Sequence, residues 1–176
     1  MDDTLLIFTD TATSPQRSVA IGAFICLDQA MMQCYAQLHT ENLLVKLEKH
    51  ITYQYYESKK STASEILTVI DALHYLTQKF HNIKKVEVYT DCQSLCDLLG
   101  RRKEKLLATH FITRSGKTLQ NAELYKQLYA IAEKFDVTLF KIKGHDSSAN
   151  RVSLNEKIFA IVDKLSRKKL RLVLET

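Results

Sequence analysis

LLIFTD (Leu5–Asp10) and VEVYTD (Val86–Asp91) are two runs of strand-forming residues that close on the same Thr–Asp pair. Leu5 to Phe8 is apolar without interruption, the pattern of a strand buried on both faces. Val86 to Asp91 alternates instead. An aspartate closing such a run is either a strand terminator or a ligand, and at each position alone the two readings stand about even. Taken together they say more. If the two strands are adjacent and parallel, their C-terminal ends bring both carboxylates to one rim, where open α/β sheets bind ligands. Carboxylates that close repel one another unless a cation lies between them.

The chain around these runs reads as an ordered series of elements. SVAIGAFICLD (18–28) is a strand, and DQA fits a hairpin turn into MMQCYAQL (31–38). The third strand is Met32–Leu38, Ile51–Glu57, or both. ENLLVKLEKH (41–50) has helical leucine and charge spacing. Ile66, Val69, Ile70, Leu73, Leu76 and Phe80 recur at helical spacing and mark a long helix. CQSLCDLL (92–99) is a short helix, and NAELYKQLYAIAEKF (121–135) is a longer one with Asn121 as N-cap. VTLFKIKGH (137–145) is a strand. The last helix runs from about Ser153 to Leu172, with Ile158, Ile161, Val162 and Leu165 inward. Three strands in a meander, followed by strands that arrive through helical crossovers, predict a mixed sheet with helices on both faces.

Two further carboxylates fall where they could join the pair. Glu65 lies in the first turn of the long helix and Asp163 on the last one. Hard oxygen ligands of this kind suit Mg²⁺ or Mn²⁺ and not zinc. A pair of such ions activates water and stabilises the leaving oxygen in phosphodiester hydrolysis. Each residue also has a plainer explanation. Glu65 completes a capping box with Thr62 in TASE, as Glu156 does with Ser153 in SLNE. Asp163 alone reads as a solvated helix carboxylate. The ordered set argues for a site where the single positions do not.

Composition narrows the setting. The 176 residues suit one domain, and an apolar fraction of 45% supplies a core. A single Pro and four Gly leave no linker or low-complexity tract. The acidic N-terminal stretch carries too short an apolar run for a signal peptide, and no segment approaches the roughly 20 apolar residues of a membrane span. A cytoplasmic protein without a membrane partner is expected. Cys26, Cys34, Cys92 and Cys96 lack CxxC spacing, so they read as reduced thiols. The net charge is +5, with basic concentrations at Arg101–Lys105 and Arg167–Arg171, which permit a nucleic-acid partner.

With these motifs in order, the chain resembles the type 1 ribonuclease H family from near its N-terminus to about Arg171. IFTD is similar to the family's first strand, IGAFI to its second, and STASEILTVIDAL to its Glu-bearing helix. TDCQSL resembles the TDSQ-like motif, FKIKGH the VKGH turn, and VDKLSRK the closing D-x-L-A-R segment. The resemblance implies one ribonuclease H-like domain over residues 1–176, with a mixed five-stranded sheet. It implies a monomeric hydrolase that cleaves the RNA strand of RNA–DNA hybrids endonucleolytically. Two Mg²⁺ ions, or Mn²⁺ in their place, would be held by Asp10, Glu65, Asp91 and Asp163. His145 would assist proton transfer or product release.

The sequence departs from the family at several points. Thr11 and Ala12 stand where Gly and Ser are common, and insertions fall near residues 40–50 and 146–155. The longer span before Asp163 leaves Glu156 and Asp146 as alternatives for the fourth ligand. The segment between Asp91 and Asn121 carries Arg101, Arg102, Lys103, Lys105, Arg114 and Lys117, enough to grip a backbone. It has no Trp, so any aromatic packing there rests on Phe111. Rival readings are a nuclease of other specificity, a nucleic-acid-binding protein without catalysis, and a scaffold in which Leu43, Leu44 and Leu47 form an exposed patch.

Overall fold

The computed structural model describes residues 4–57, 61–80, 82–143 and 153–175. The order of elements is β1 (Thr4–Ser14), a 3-10 turn (Pro15–Arg17), β2 (Val19–Leu27), α1 (Gln29–Ala36), α2 (Thr40–Glu48), β3 (Thr52–Glu57) and α3 (Ser61–Lys79). β4 (Lys85–Thr90), α4 (Gln93–Leu99), α5 (Lys103–Ala108), α6 (Ala122–Ala132), β5 (Asp136–Lys141) and α7 (Leu154–Glu175) follow. The five strands form one sheet in the order β3-β2-β1-β4-β5. β1–β2 and β2–β3 are antiparallel, whereas β1–β4 and β4–β5 are parallel. This is the mixed sheet that the series of elements predicts.

The uninterrupted apolar run of β1 is explained by its central place. Leu5 and Ile7 face α3, α4 and α6 together with Val86 and Val88 of β4. Leu6 and Phe8 face the other side, where α1, α2 and α7 cover them with Met32, Tyr35, Leu43, Leu47, Ile158 and Val162. Fully burying a side chain such as Ile7 on one face or Phe8 on the other contributes roughly 1.5–3 kcal/mol, so both layers are anchored through the same strand.

Local expectations fare unevenly. Met31–Leu38 is not a strand: Asp28 caps α1, its carboxylate accepting from the Met31 N–H at 2.7 Å, and Met32 and Tyr35 point inward. The third strand is therefore Thr52–Glu57 alone. β5 ends at Lys141, and Gly144 and His145 lie outside the described residues. Asn121 precedes α6, but its side chain makes no capping hydrogen bond. The box at α7 does form: the Glu156 carboxylate accepts from the Ser153 N–H at 2.9 Å while the Ser153 hydroxyl accepts from the Glu156 N–H at 3.2 Å. Leu43 and Leu47 of α2 are buried against the α7 layer, so the exposed leucine patch of the scaffold reading does not exist.

Candidate metal centre

The register of the central strands builds the site. Parallel pairing of β1 with β4 runs from Thr4–Lys85 to Phe8–Tyr89, while antiparallel pairing with β2 continues to Ser14–Val19. β1 therefore does not stop at Asp10; it loses one of its two neighbours there. Asp10 points into the opening where β4 turns away, and Asp91 is the first residue beyond β4. Glu65 enters from the first turns of α3. Asp10, Glu65 and Asp91 each present a carboxylate oxygen, and these oxygens lie within 4.8 Å of one another. Thr62 already lies inside α3, and the Glu65 carboxylate turns to the two aspartates, so the TASE capping box is not what fixes it.

Burial dominates the electrostatics. Asp10 is 6% and Glu65 8% exposed. Desolvation, offset in part by the Ser166 hydroxyl and reinforced by Asp163 and Asp91, pushes the Asp10 pKa up to about 6. Desolvation and the negative charges of Asp10 and Asp91 push Glu65 up to about 9, with the Thr11 hydroxyl pulling the other way. Glu65 Oε2 is buried and has no hydrogen-bond partner among the described residues. A buried acceptor without a donor, beside two more carboxylates, is a cluster short of positive charge.

The three acids open onto a cleft of about 630 Å³, which Asp163, Arg167 and Arg171 of α7 wall on one side and Ser61 and Thr62 of α3 on another. Asp163 is thus in the cleft, but both of its carboxylate oxygens are engaged by Arg167 one turn on, with Nε donating to Oδ1 at 2.7 Å. Ser166 of the same helix, fully buried, donates to Asp10 Oδ2. Glu156 caps α7 and lines a separate hollow with Tyr89 and Phe140, so it does not join the acids. Asp146 and His145 lie outside the described residues.

Two further residues of the VDKLSRK segment belong to the site beside Asp163. Arg167 follows Asp163 by four residues, the spacing of a helical ion pair, and that signal is legible. Ser166 carries no comparable signal, because only the packing of α7 on β1 brings it to Asp10.

A second, basic groove of about 810 Å³ lies over α5 and the turn that follows. Arg101, Arg102, Lys105 and Arg114 line it above Leu106, Ile112 and Leu119. Lys103 turns away and sits over the Tyr129 ring at 5.6 Å. Phe111 is the aromatic anchor expected of this segment, buried beside Tyr125 and Tyr129 with φ of 61°.

A five-stranded sheet of this order, split at its centre over a carboxylate cluster, defines a ribonuclease H-like α/β protein. The chain belongs to the RNase H family, whose profile matches residues 2–170. A ribonuclease H of Orientia tsutsugamushi (strain Boryong) is 24% identical over 125 residues, covering 64% of this chain and 72% of that protein. Foamy viral protease-reverse transcriptase in complex with dsDNA superposes with a TM-score of 0.65 at 12% identity, over 94% of this chain and 91% of that one. LC11-RNase H1 in complex with RNA/DNA hybrid gives 0.60 at 15% identity, over 97% and 99%. These structural likenesses show the fold. The acidic cluster is of the kind metal-dependent members of the family use, and no described helix is long and apolar enough to cross a membrane.

Proposed function

We propose that the protein is a divalent-metal-dependent ribonuclease H that hydrolyses the RNA strand of RNA–DNA hybrids. The observation that carries this reading is the convergence of Asp10, Glu65 and Asp91 from three elements onto one point, with Glu65 Oε2 buried and without a partner among the described residues. The donor set is all carboxylate oxygen, which fits Mg²⁺ or Mn²⁺. Asp10, Glu65 and Asp91 would hold the metal, and Asp163, the remaining acid at the cleft wall among the described residues, would serve a second ion. Bound there, divalent cations supply charge stabilisation to the phosphate and acidify the attacking water.

The chain's own groups supply the rest. Ser166 fixes the orientation of the Asp10 carboxylate by donating to it. Arg171 adds positive charge at the cleft wall, where a phosphate must enter. Arg101, Arg102, Lys105 and Arg114 grip the backbone away from the acids, a contact that reads shape and phosphates rather than sequence. His145, which follows β5 in the sequence, is assigned proton transfer or product release on the family resemblance.

The test is a cleavage assay on hybrid, duplex DNA, duplex RNA and single strands, each with Mg²⁺ and with chelator. Hybrid-only cleavage that needs metal and disappears in Asp91→Asn is the expected result. Wild-type activity in Asp91→Asn would sink the mechanism, and preference for another substrate would move the chain to a different nuclease class.

A further inference from the structure

Gly22 sits opposite Thr11 in the β1–β2 ladder, and a Cβ there would meet Thr68 Oγ1 at 2.2 Å and the Tyr56 ring and hydroxyl at 2.8 and 3.0 Å. A glycine inside a strand marks a close approach, and what approaches here is polar. Thr68 of α3 and Tyr56 of β3 both reach across the bare backbone of β2. Thr68 Oγ1 lies 3.0 Å from Thr11 Oγ1, and the Tyr56 hydroxyl donates to Asp71 Oδ2 at 2.7 Å. Thr11 is next to Asp10, and its hydroxyl acts on the Glu65 carboxylate. The result is a line of side chains from Glu65 through Thr11, Thr68 and Tyr56 to Asp71.

We propose that this line positions the Glu65 carboxylate for metal binding, with Thr68 and Tyr56 as positioning residues that never touch the metal. The inference rests on the reading of Glu65 as a metal ligand. Each hydroxyl has one proton and two lone pairs, so the direction of the line matters. Thr68 can donate to the Ser64 carbonyl, 2.8 Å away, or to Thr11. The Ser64 carbonyl already has the Thr68 N–H of the helix ladder as donor, so it can release the hydroxyl proton. When Glu65 is ionised, Thr68 donates to Thr11 and Thr11 donates to Glu65. Tyr56 is held as a donor by Asp71, which leaves its oxygen turned to Thr68 as a polar wall. Without Thr68, Thr11 loses the hydroxyl 3.0 Å away that sets its rotamer, and its hold on the Glu65 carboxylate loosens.

Calorimetric titration of Mn²⁺ into the protein, without nucleic acid, reads this directly. Partners of a ligand's own hydrogen bonds typically change metal affinity by about tenfold or more. Thr68→Val and Thr11→Val are each expected to weaken Mn²⁺ binding about tenfold, and Tyr56→Phe to weaken it less. Thr68→Ser restores the affinity, which a purely packing role for the threonine methyl would not allow. Glu65→Gln is the reference. If it binds Mn²⁺ like the wild type, Glu65 is not a ligand and the function reading fails with it. If Glu65→Gln loses affinity while both valine variants keep it, only the positioning role is overturned. Should Thr68→Val fail to fold, the half-buried Thr11→Val carries the same comparison.

Discussion

Asp10 titrates at about 6 and Glu65 at about 9, against ordinary values of 3.8 and 4.5. Both carboxyls bind protons more tightly folded than unfolded, so their contribution to stability is fully present below about pH 4 and is lost as pH rises through 6 and then 9. A metal-free sample should therefore melt at progressively lower temperature from pH 5 to pH 9, and a plateau there would contradict the burial argument. Glu65→Gln removes the cost of taking up a proton at this position on folding and offers an amide donor to Asp10 at every pH. It should raise the chelator-treated melting temperature by about 3 °C, the equivalent of about 1 kcal/mol in a chain of this length, while abolishing hybrid cleavage. Saturating Mn²⁺ should erase or reverse that gain. At this scale the Thr–Asp endings make Asp10 and Asp91 legible in the sequence. Thr11 and Ser166 are not legible as site residues, because a hydroxyl's partner depends on what the tertiary fold sets opposite it. Ser166 meets Asp10 across 156 positions of chain.

Among the elements, α1 and α2 show where reading by pattern fails. MMQCYAQL carries strand-compatible residues, and Asp28 serves equally as a turn residue or an N-cap. The i, i+3 pair Met32 and Tyr35 settles it as a helix once there is a core to face. α2 then lays Leu43 and Leu47 against the α7 layer and ties Glu48 to Lys168 at 2.9 Å. The insertion is thus part of the core beneath the helix that carries Asp163 and Ser166. Leu47→Ala should cost about 2–5 kcal/mol in urea unfolding, whereas Lys168→Ala, at an exposed ion pair, should cost about 1 kcal/mol or less. Equal costs would mean that α2 is held by its charges and not by its leucines. The long helix α3 is legible because six apolar positions share one period. Its polar line of Ser64, Thr68 and Asp71 is not, since it faces β2 and β3 and only the sheet order reveals that.

Over the whole molecule, the acidic cleft and the basic groove are separate surfaces, the first built on the split between β1 and β4 and the second on α5 and the turn that follows. Replacing Arg102 and Arg114 by Glu should weaken hybrid binding and flatten its salt dependence by about one unit of slope for each phosphate no longer neutralised. Mn²⁺ affinity should be untouched; a parallel weakening would show that the two surfaces are not independent. The mixed sheet and its helical crossovers are legible because each helix between parallel strands dictates its own return path. The split at Asp10 is not, because it depends on how far two pairings run along one strand. That feature also bears on how the chain comes together. β1 and β2 are joined by a short turn, so their hairpin can close as soon as both have left the ribosome. β4, by contrast, must return to β1 from far along the chain, with Thr4 meeting Lys85. Such distant pairings are slow and come late. The mutual repulsion of the acids is therefore met only as the sheet closes, after the hairpin that bears Asp10 is already in place.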